Sequence, residues 1–478
     1  MTERAQLIIN GRFVSGEAEP YSAKNPYNQE PVSEGNLAGA DQVKEAIANA
    51  KATFQEYRNF PAHRRTSLLL EMSRLVAENA EEIARIIAVE VGKPLRTARI
   101  EVTRAVSTFH IAALEVPNVG GGIVPMDVVP YAEGRQAFYI REPIGVVGAI
   151  TPFNFPFNLV AHKIAPALAV GNTVVLKPAL SARLSALKLG ELILKAGFPP
   201  GVLNVVPCSN QVASTLVDSP DVAMISFTGS VPVGKQIRDR VGLKKVVLEL
   251  GSNSANIISA SADIQQAATA IARAGFSHAG QSCIHAQRIY VHSSVLDRFL
   301  KGLLPLVESL RLGDPLREET DVGPMIDENG ASRAEAWVAE AQAGGAHVLA
   351  GGTREGTMFR PTVLTNVTPE MKVVCEEVFA PVIAIIPFED LGEAIRQVND
   401  SKYGLNAGVF TQSIQEAFQA IKELQVGSVV INDPSSFRAD QMPYGGVKES
   451  GVGREGLRYA MEEMTEIKFA SFNLGKAV

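Results

Sequence analysis

From Gly145 onwards, short apolar segments alternate with helical stretches, and this rhythm constrains the fold more than any other feature of the chain. The first series comprises residues 146–150, 173–176, 202–206, 223–227 and 245–248. A second series comprises residues 255–259, 287–292, 382–387 and 427–432. Short apolar strands separated by helices form parallel sheets with right-handed crossovers. The sequence therefore predicts an α/β fold of two doubly wound lobes, with a cleft between them that is suited to ligands.

The part of the chain before Gly145 does not show this alternation. Residues 7–10 and 12–14 predict a short strand pair, and apolar residues at helical spacing predict helices over 41–114. Three glycines at 120–122 then interrupt the pattern. Two extended runs follow, 123–131 and 136–143, and the turn-like residues 132–135 between them predict a hairpin arm.

Composition excludes several classes of protein. The chain has 478 residues, 46% of them apolar, which suits two or three soluble globular domains. The net charge is −6 and no long basic run occurs, which argues against nucleic acid or a membrane as the main partner. Three cysteines are too few for a disulfide framework. Because the sequence has neither a signal-peptide core nor an apolar stretch of about 20 residues, we predict a cytoplasmic protein.

Two glycine-containing turns are candidates for binding phosphate. Gly451, Gly453 and Gly456 spell a literal G-x-G-x-x-G, but too little chain follows for a dinucleotide-binding βαβ unit, so a glycine-rich turn is the better interpretation. Gly229 and Ser230 directly follow a predicted strand and precede a helix. There Ser230 can cap the helix, and free N–H groups can bind a pyrophosphate. Alone, such a turn is more often only a turn.

Four side chains suggest chemistry, and each also has an ordinary structural interpretation. Lys177 ends a predicted strand, where parallel sheets bind ligands, although a lysine there is usually a solvated surface residue. Cys283 follows Gly280 among small and polar residues, but most cysteines are inert. Glu249 ends an apolar strand, where burial would suit it to act as a general base; an ion-paired or capping role is the alternative. Asn154, between two prolines, could donate to an oxyanion or simply form a turn.

Neighbouring residues do not extend these side chains into another kind of site. His285 is two residues from Cys283, but a cysteine-protease site requires a histidine that is close in space rather than in sequence. The pair also lacks the further spaced ligands of a zinc site, so no metal site is predicted.

Taken together and in this order, the motifs TPFNFP, LKPA, FTGS, LELG, GQSC, EEVFAP and MPYGGVKESGVGREG resemble the aldehyde dehydrogenase superfamily. The resemblance extends from Ile9 to the final extended segment near Phe469–Phe472. It implies a dinucleotide-binding domain (1–120 and 143–250), a catalytic domain (251–455) and an oligomerisation arm (121–142 and 456–478). It also implies a homodimer or homotetramer.

The resemblance implies a role for each matching residue. Cys283 would be the nucleophile, Glu249 the general base, and Asn154 with the Cys283 N–H the oxyanion hole. NAD or NADP would be the cofactor, and the aldehyde would become a carboxylic acid through a thioester. The residues implied in cofactor binding are Thr151, Pro152, Phe153, Lys177, Gly229, Ser230, Gly234, Leu250, Glu377 and Phe379.

Two departures from the family pattern, at Leu180 and at Arg438, bear on specificity, and Arg183 lies close to the first. Leu180 stands where NAD-preferring members often carry a glutamate, so a 2′-phosphate is not repelled, and we predict a small preference for NADP. Arg183 is either a phosphate contact or, more often in such a place, a surface helix residue. Arg438 falls in a loop that lines the substrate tunnel, where it would bind an anionic or hydroxylated aldehyde of the semialdehyde, lactaldehyde or glyceraldehyde type. An ion pair of Arg438 with Asp440, or with a neighbouring lobe, is the alternative.

Two other functions compete with hydrolytic aldehyde oxidation. A CoA-acylating semialdehyde dehydrogenase would pass the acyl group to CoA, but such members usually lack the glutamate base that Glu249 supplies here. A catalytically silent binding or structural member of the fold would be expected to lose Cys283, Glu249 or Asn154, and the sequence retains all three.

Overall fold

The computed structural model describes residues 3–475, so residues 1, 2 and 476–478 of the predicted domain and arm lie outside the described residues. Apolar residues at helical spacing are buried in the first helices, as the sequence predicts. The α-helices are α1 Ala40–Tyr57, α2 Ala62–Glu78, α3 Ala80–Val91, α4 Leu95–Glu115, α5 Asn158–Val170, α6 Arg183–Lys195, α7 Asn210–Asp218, α8 Val231–Arg240, α9 Ile264–Phe276, α10 Leu296–Glu308, α11 Glu328–Ala343, α12 Lys372–Cys375, α13 Leu391–Asn399, α14 Ile414–Glu423 and α15 Leu457–Glu463.

Strands fill most of the remaining regular structure within the same residues. They are β1 Glu3–Arg4, β2 Leu7–Ile9, β3 Arg12–Val14, β4 Pro20–Lys24, β5 Pro31–Asn36, β6 Gly121–Val124, β7 Arg135–Pro143, β8 Val146–Ile150, β9 Thr173–Lys177, β10 Leu203–Val205, β11 Val222–Thr228, β12 Lys245–Glu249, β13 Ala255–Ile258, β14 Arg288–His292, β15 His347–Ala350, β16 Arg354–Glu355, β17 Met358–Phe359, β18 Thr362–Thr365, β19 Val382–Phe388, β20 Asn406–Phe410, β21 Ser428–Ile431, β22 Gly451–Val452 and β23 Thr465–Asn473.

The first large sheet has the strand order β22-β12-β11-β8-β9-β10-β2-β3. Its five central strands, from β12 to β10, are parallel, and all five segments of the first predicted series form them. Helix α5 is buried along its whole length, and it packs between this sheet and α4. The carboxyl ends of β8, β9, β11 and β12 therefore lie along one edge, which we call the first carboxyl edge.

The second large sheet has the strand order β15-β18-β19-β14-β13-β20-β21 and is parallel except for β15. The four segments of the second predicted series form β13, β14, β19 and β21. Sequence reasoning missed β15, β18 and β20, although β20 lies inside the sheet, between β13 and β21. Strand β20 reads NAGVF, and its Asn, Ala and Gly favour strands poorly.

The predicted hairpin arm forms, but with a different boundary. Strands β6, β7 and β23 make a three-stranded antiparallel sheet, in which β23 pairs with β7 along its whole length. The predicted run 123–131 stays extended in the sheet only as far as Val124, and a loop connects it to β7. Pro125 and Pro130 lack the N–H that a strand donates to its neighbour, which explains the early end.

The sheets bear on the predicted domain division, which stays a prediction. Strand β22 joins the first sheet by pairing antiparallel with β12, although the range 251–455 assigns it to the catalytic domain. Gly451, the first glycine of the literal G-x-G-x-x-G, begins this edge strand, and the motif then turns into α15. Between residues 3 and 475, no helix is both long and apolar enough to cross a bilayer.

Candidate active site

Cys283 lies on a tight loop that comes before β14. His278 and Ala279 adopt left-handed backbone conformations, and Gly280 follows at φ +67°. A Cβ on Gly280 would lie 2.1 Å from the Ala380 carbonyl oxygen, so only glycine fits this approach. Burial raises the pKa of the Cys283 thiol to about 11, and a hydrogen bond with Tyr444 opposes that shift. The loop thus holds a thiol that is only partly exposed.

Asn154 reaches the same loop from the first sheet. It lies in the segment after β8, and its Nδ2 donates to the Gln281 carbonyl oxygen at 3.0 Å. The side chain is only 4% exposed, and the remaining amide hydrogen is free to donate. Within residues 3–475, the Cys283 N–H donates to no acceptor. Two donors, one amide and one backbone N–H, are therefore available beside the thiol, as an oxyanion hole requires.

Glu249 ends β12 and is 3% exposed. Neither of its carboxylate oxygens has a hydrogen-bond partner among the described residues. Burial raises the pKa of Glu249 well above its ordinary value, and the charge of Glu455 raises it further. The Glu249 charge also acts on the pKa of Cys283. A buried carboxyl group with no fixed partner is available to take a proton from a water molecule, and the ion-paired and capping alternatives are wrong.

A second buried carboxylate in the site is fully paired. Glu455 accepts from Lys163 Nζ at 2.9 Å and from Arg438 Nη2 at 3.0 Å. Burial raises the pKa of Glu455, but the charges of Lys163 and Arg438 outweigh burial and lower it to about 2. The pKa values of the two neighbouring carboxyl groups are thus shifted in opposite directions, that of Glu455 downward and that of Glu249 upward.

Arg438 lies beside this carboxylate and not beside Asp440. Its side chain is 6% exposed, its guanidinium carbon lies 3.7 Å from the centre of the Tyr444 ring, and its Nε has no partner within the described chain. The Arg438–Asp440 ion pair is wrong, because Asp440 accepts instead from Arg104 at 2.7 Å and bonds to His162 at 2.9 Å. Arg438 retains one unused donor at the site.

The first carboxyl edge fits a dinucleotide. Thr151 directly follows β8, and Thr228 is the last residue of the neighbouring parallel strand β11. Both hydroxyls are buried without a hydrogen-bond partner among residues 3–475. Lys177 ends the next strand and donates to Asn210 Oδ1 at 3.2 Å, so it is not a solvated surface residue. Ser230 occupies the N-cap position of α8, but its side chain makes no capping bond, contrary to expectation. The first N–H groups of α8 are therefore open to a phosphate.

Two glycines and one leucine shape this edge. A Cβ on Gly229 would lie 2.4 Å from the Phe227 ring, and a Cβ on Gly234 would lie 2.5 Å from Leu250. Leu250 is buried against α8 at that point. The contacts account for glycine at both positions, because a side chain at either would clash with its neighbour.

Glu377 and Phe379 lie on the loop before β19, and both contact residues that follow strands of the first sheet. Glu377 Oε1 accepts from the Ser252 N–H at 3.0 Å, and burial raises the pKa of Glu377 to about 7. The Phe379 ring lies edge-on to Phe153 with 6.0 Å between centroids. Pro152 and Phe153 are half-buried in the loop that carries Asn154. Cofactor residues predicted in separate segments are thus brought together.

Both predicted interpretations of Arg183 are wrong. The side chain is 1% exposed, and its guanidinium donates to the Ser33 hydroxyl and to the carbonyl oxygens of Tyr21 and Ser33. It therefore joins α6 to the β4–β5 hairpin and is unavailable to a cofactor phosphate.

Sequence reasoning missed several residues of the site. They share burial and charge or a polar tip, and no individual role was assigned to them. They are Lys163, Thr228, Tyr444 and Glu455. Thr228 lies in the FTGS motif, and Tyr444 and Glu455 lie in MPYGGVKESGVGREG, so their signal was membership of a motif. For Lys163 the signal was that it interrupts a helix that is otherwise almost entirely apolar.

Known proteins resemble the chain over its whole length. Residues 13–470 match the model of the aldehyde dehydrogenase family. A 3-sulfolactaldehyde dehydrogenase from Priestia aryabhattai is 46% identical, covering 99% of this chain and 100% of the relative. Aldehyde dehydrogenase 21 from Physcomitrella patens, solved with its reaction product succinate, is 37% identical with a TM-score of 0.97, covering 100% of both chains. Glyceraldehyde-3-phosphate dehydrogenase from Methanocaldococcus jannaschii, complexed with NADP, is 40% identical with a TM-score of 0.92, covering 96% of this chain and 100% of that one.

Proposed function

The chain belongs to the aldehyde dehydrogenase family, NAD(P)-dependent enzymes that oxidise aldehydes, and from that premise we propose a substrate and a role for each site residue. The substrate is a small 2-hydroxyaldehyde with an anionic group at its far end. Cys283 is the nucleophile, Asn154 with the Cys283 N–H forms the oxyanion hole, and Glu249 is the general base.

Acylation uses the thiol and the two donors beside it. The Cys283 thiolate attacks the aldehyde carbon, a C–S bond forms, and the carbonyl oxygen becomes an oxyanion. The Asn154 amide and the Cys283 N–H donate to that oxygen as its charge develops. Bound NAD(P)⁺ supplies the hydride acceptor that turns this adduct into a thioester.

Deacylation uses the unpaired carboxylate. Glu249 takes a proton from a water molecule, and the resulting hydroxide attacks the thioester carbon. The C–S bond then breaks, which releases the carboxylic acid and returns the thiolate. The buried, unpartnered state of both Glu249 oxygens supports this role, because a paired carboxylate would already be occupied.

One observation carries the proposed substrate class: Arg438 keeps a buried, unpartnered Nε beside the site. Its guanidinium stacks on Tyr444, whose hydroxyl lies 3.2 Å from Cys283 Sγ, so the free donor is about one aromatic ring from the reacting atom. The relatives named for 3-sulfolactaldehyde and glyceraldehyde 3-phosphate support the class, because both compounds combine a 2-hydroxyl with a terminal anion.

The cofactor edge supports use of NADP as well as NAD. Leu180 presents no carboxylate to repel a 2′-phosphate, and Lys177 lies at the end of the preceding strand. We propose that both cofactors bind, with a small preference for NADP.

The arm supports an oligomer. Ile467, Phe469 and Phe472 on β23 are each more than half exposed, and exposed apolar side chains in a row mark an interaction surface. We propose that β6, β7 and β23 pair with a neighbouring subunit in a homodimer or homotetramer. The predicted domain boundaries stand as part of this proposal, as does a cytoplasmic location, which the free thiols of Cys208, Cys283 and Cys375 support.

The test is a set of initial rates with matched aldehydes and both cofactors, followed by absorbance of the reduced cofactor. We expect 3-sulfolactaldehyde and glyceraldehyde 3-phosphate to exceed neutral lactaldehyde in kcat/KM by about 10-fold or more, because a desolvated charge pair discriminates strongly. Arg438→Lys should reduce that ratio, since lysine lacks the guanidinium fork. A loss that is equal for anionic and neutral aldehydes would overturn the anion contact. Persistence of turnover in Cys283→Ala would overturn the mechanism, and a product that requires CoA would favour the acylating alternative.

A further inference from the structure

The Tyr444 hydroxyl makes a direct hydrogen bond with the proposed nucleophile. The hydroxyl lies 3.2 Å from Cys283 Sγ, and it has no other hydrogen-bond partner among the described residues. The Tyr444 side chain is 2% exposed, so water does not compete for the hydroxyl. One hydrogen of the Asn154 amide is bonded to the Gln281 carbonyl oxygen, and among the described residues Asn154 makes no hydrogen bond with the sulfur. Tyr444 therefore supplies the hydroxyl that the structure places within hydrogen-bond distance of the sulfur atom.

Glu455 fixes Tyr444 in two ways. The backbone N–H of Tyr444 donates to the Glu455 carbonyl oxygen at 3.0 Å, and the Glu455 N–H donates back at 2.7 Å. The Glu455 carboxylate holds Arg438, whose guanidinium covers one face of the ring at 3.7 Å. Lys163 in turn fixes the same carboxylate from α5. The backbone hydrogen bonds fix the position of residue 444, and Arg438 fixes the orientation of the ring. Together they keep the Tyr444 hydroxyl directed at Cys283.

The direction of this hydrogen bond depends on the state of the sulfur. When Cys283 is a thiol, either group can donate. A thiolate has no hydrogen, so only the Tyr444 hydroxyl can then donate. Hydrogen bonds to a charged acceptor are stronger than those between neutral groups, so the contact favours the thiolate.

We propose that Tyr444 is a catalytic residue that donates a hydrogen bond to Cys283 Sγ and stabilises its thiolate. The thiolate occurs twice in the reaction: before attack on the aldehyde, and again when the C–S bond of the thioester breaks. Tyr444 keeps its proton in both steps, so it lowers the energy of the charged sulfur without transferring anything. The inference rests on the proposed role of Cys283 as nucleophile.

A packing role is the competing explanation. The Tyr444 ring packs with Ile284 and Leu405, and phenylalanine would preserve that contact. Tyr444→Phe therefore separates the two roles, because it removes the hydroxyl and keeps the ring. Tyr290→Phe is a matched control, since Tyr290 is also buried and its hydroxyl bonds to Arg288, away from the sulfur.

The measurement is the pH dependence of Cys283 alkylation by iodoacetamide, read by mass spectrometry of the peptide that contains Cys283, with no substrate or cofactor present. Glu249, Glu377 and Arg438 also act electrostatically on this thiol, and all three are retained in the variants. We expect Tyr444→Phe to shift the profile upward by about one pH unit and to slow alkylation about tenfold at a fixed pH below it. Tyr290→Phe should follow the wild type. A Tyr444→Phe profile that matches the wild type would overturn the proposal.

A second substitution changes the donor while the ring remains in place. Replacing the Tyr444 side chain with 3-fluorotyrosine makes the phenol a stronger donor, so the alkylation profile should shift to lower pH. A packing role predicts no shift in that direction, and an unchanged profile would count against the proposal. If the Tyr444→Phe profile matches the wild type and Cys283→Ala is inactive, the proposal for Tyr444 fails but the proposed function is retained. If Cys283→Ala is active, the proposed function itself is contradicted.

Discussion

The carboxyl edges of the two large parallel sheets differ in how their polar groups are satisfied. At the first carboxyl edge, Thr151, Thr228 and Glu249 have buried oxygens without partners among residues 3–475. The corresponding edge of the second sheet is fully bonded internally. Ser261 Oγ lies 2.9 Å from the hydroxyls of both Ser259 and Thr411.

The carboxylate at the carboxyl edge of the second sheet, that of Glu416, is hydrogen-bonded, unlike that of Glu249. The Thr411 hydroxyl donates to Glu416, and the Thr411 N–H donates to Asn432 Oδ1 at 2.9 Å. The second lobe instead contributes to the site from its opposite edge. Cys283 comes before β14 and Glu377 comes before β19, at the amino ends of those strands. The rule that parallel sheets bind ligands at carboxyl ends therefore holds here for one sheet only.

The largest expected difference between the two edges is in how kcat responds when the glutamate at each edge is replaced by glutamine. Glu249→Gln should lower kcat by about 10²–10⁴-fold, because the thioester then lacks its general base. Rapid mixing should show a burst of reduced cofactor followed by slow turnover. Glu416→Gln at the second edge is the control and should leave kcat within about twofold of wild type. Equal loss in both variants would mean that the two edges do not differ in function.

The pH dependence gives the next largest effect. Burial raises the pKa values of both Glu249 and Cys283. At a given pH, a larger fraction of each group is therefore protonated than in an ordinary glutamate or cysteine. Both must lose a proton to act, so kcat/KM should rise with pH, by about tenfold per unit below the thiol pKa. The measurement is kcat and kcat/KM across pH for wild type and Glu249→Gln. A wild-type profile that falls as pH rises would contradict the assignment.

The smallest expected effect is the change in the free energy of unfolding when a threonine at each edge is replaced by valine. Thr411→Val leaves bonded groups without a partner, which should lower the free energy of unfolding by about 1–3 kcal/mol. Thr228→Val removes a hydroxyl that has no protein partner, so the free energy of unfolding should stay equal or rise, while the KM for the cofactor rises. Denaturant unfolding and cofactor KM values for the pair check this. Equal destabilisation by both would remove the distinction between the edges.

Much of the fold could be predicted from local sequence. All nine predicted apolar segments from Val146 onwards form strands, because a buried parallel strand needs a continuous apolar run. The arm boundary was wrong because the two prolines were counted inside a strand. Arg183 was wrong because its partners, Ser33 and the Tyr21 carbonyl, lie in a hairpin distant in sequence.

The positions of Cys283, Glu249 and Asn154 in the candidate site could be expected from short motifs, and their catalytic roles stay a proposal. Positions that depend on the path of the chain were not predicted. After β21 the chain returns across the sheet, where a Cβ on Gly408 would lie 2.7 Å from the Asp433 carbonyl oxygen. That return brings Tyr444 next to Cys283; the motif MPYGGVKESGVGREG contains Tyr444 but does not indicate this contact, whereas Arg438 was expected nearby from the resemblance.

The raised pKa of the Cys283 thiol has a consequence for the resting enzyme. Peroxides react with thiolates far faster than with thiols, and each oxidation beyond the sulfenic acid is generally irreversible. A sulfur atom that is partly buried and keeps its proton between turnovers reacts slowly with such oxidants. The burial that raises the pKa of this thiol therefore also slows oxidative inactivation of the protein.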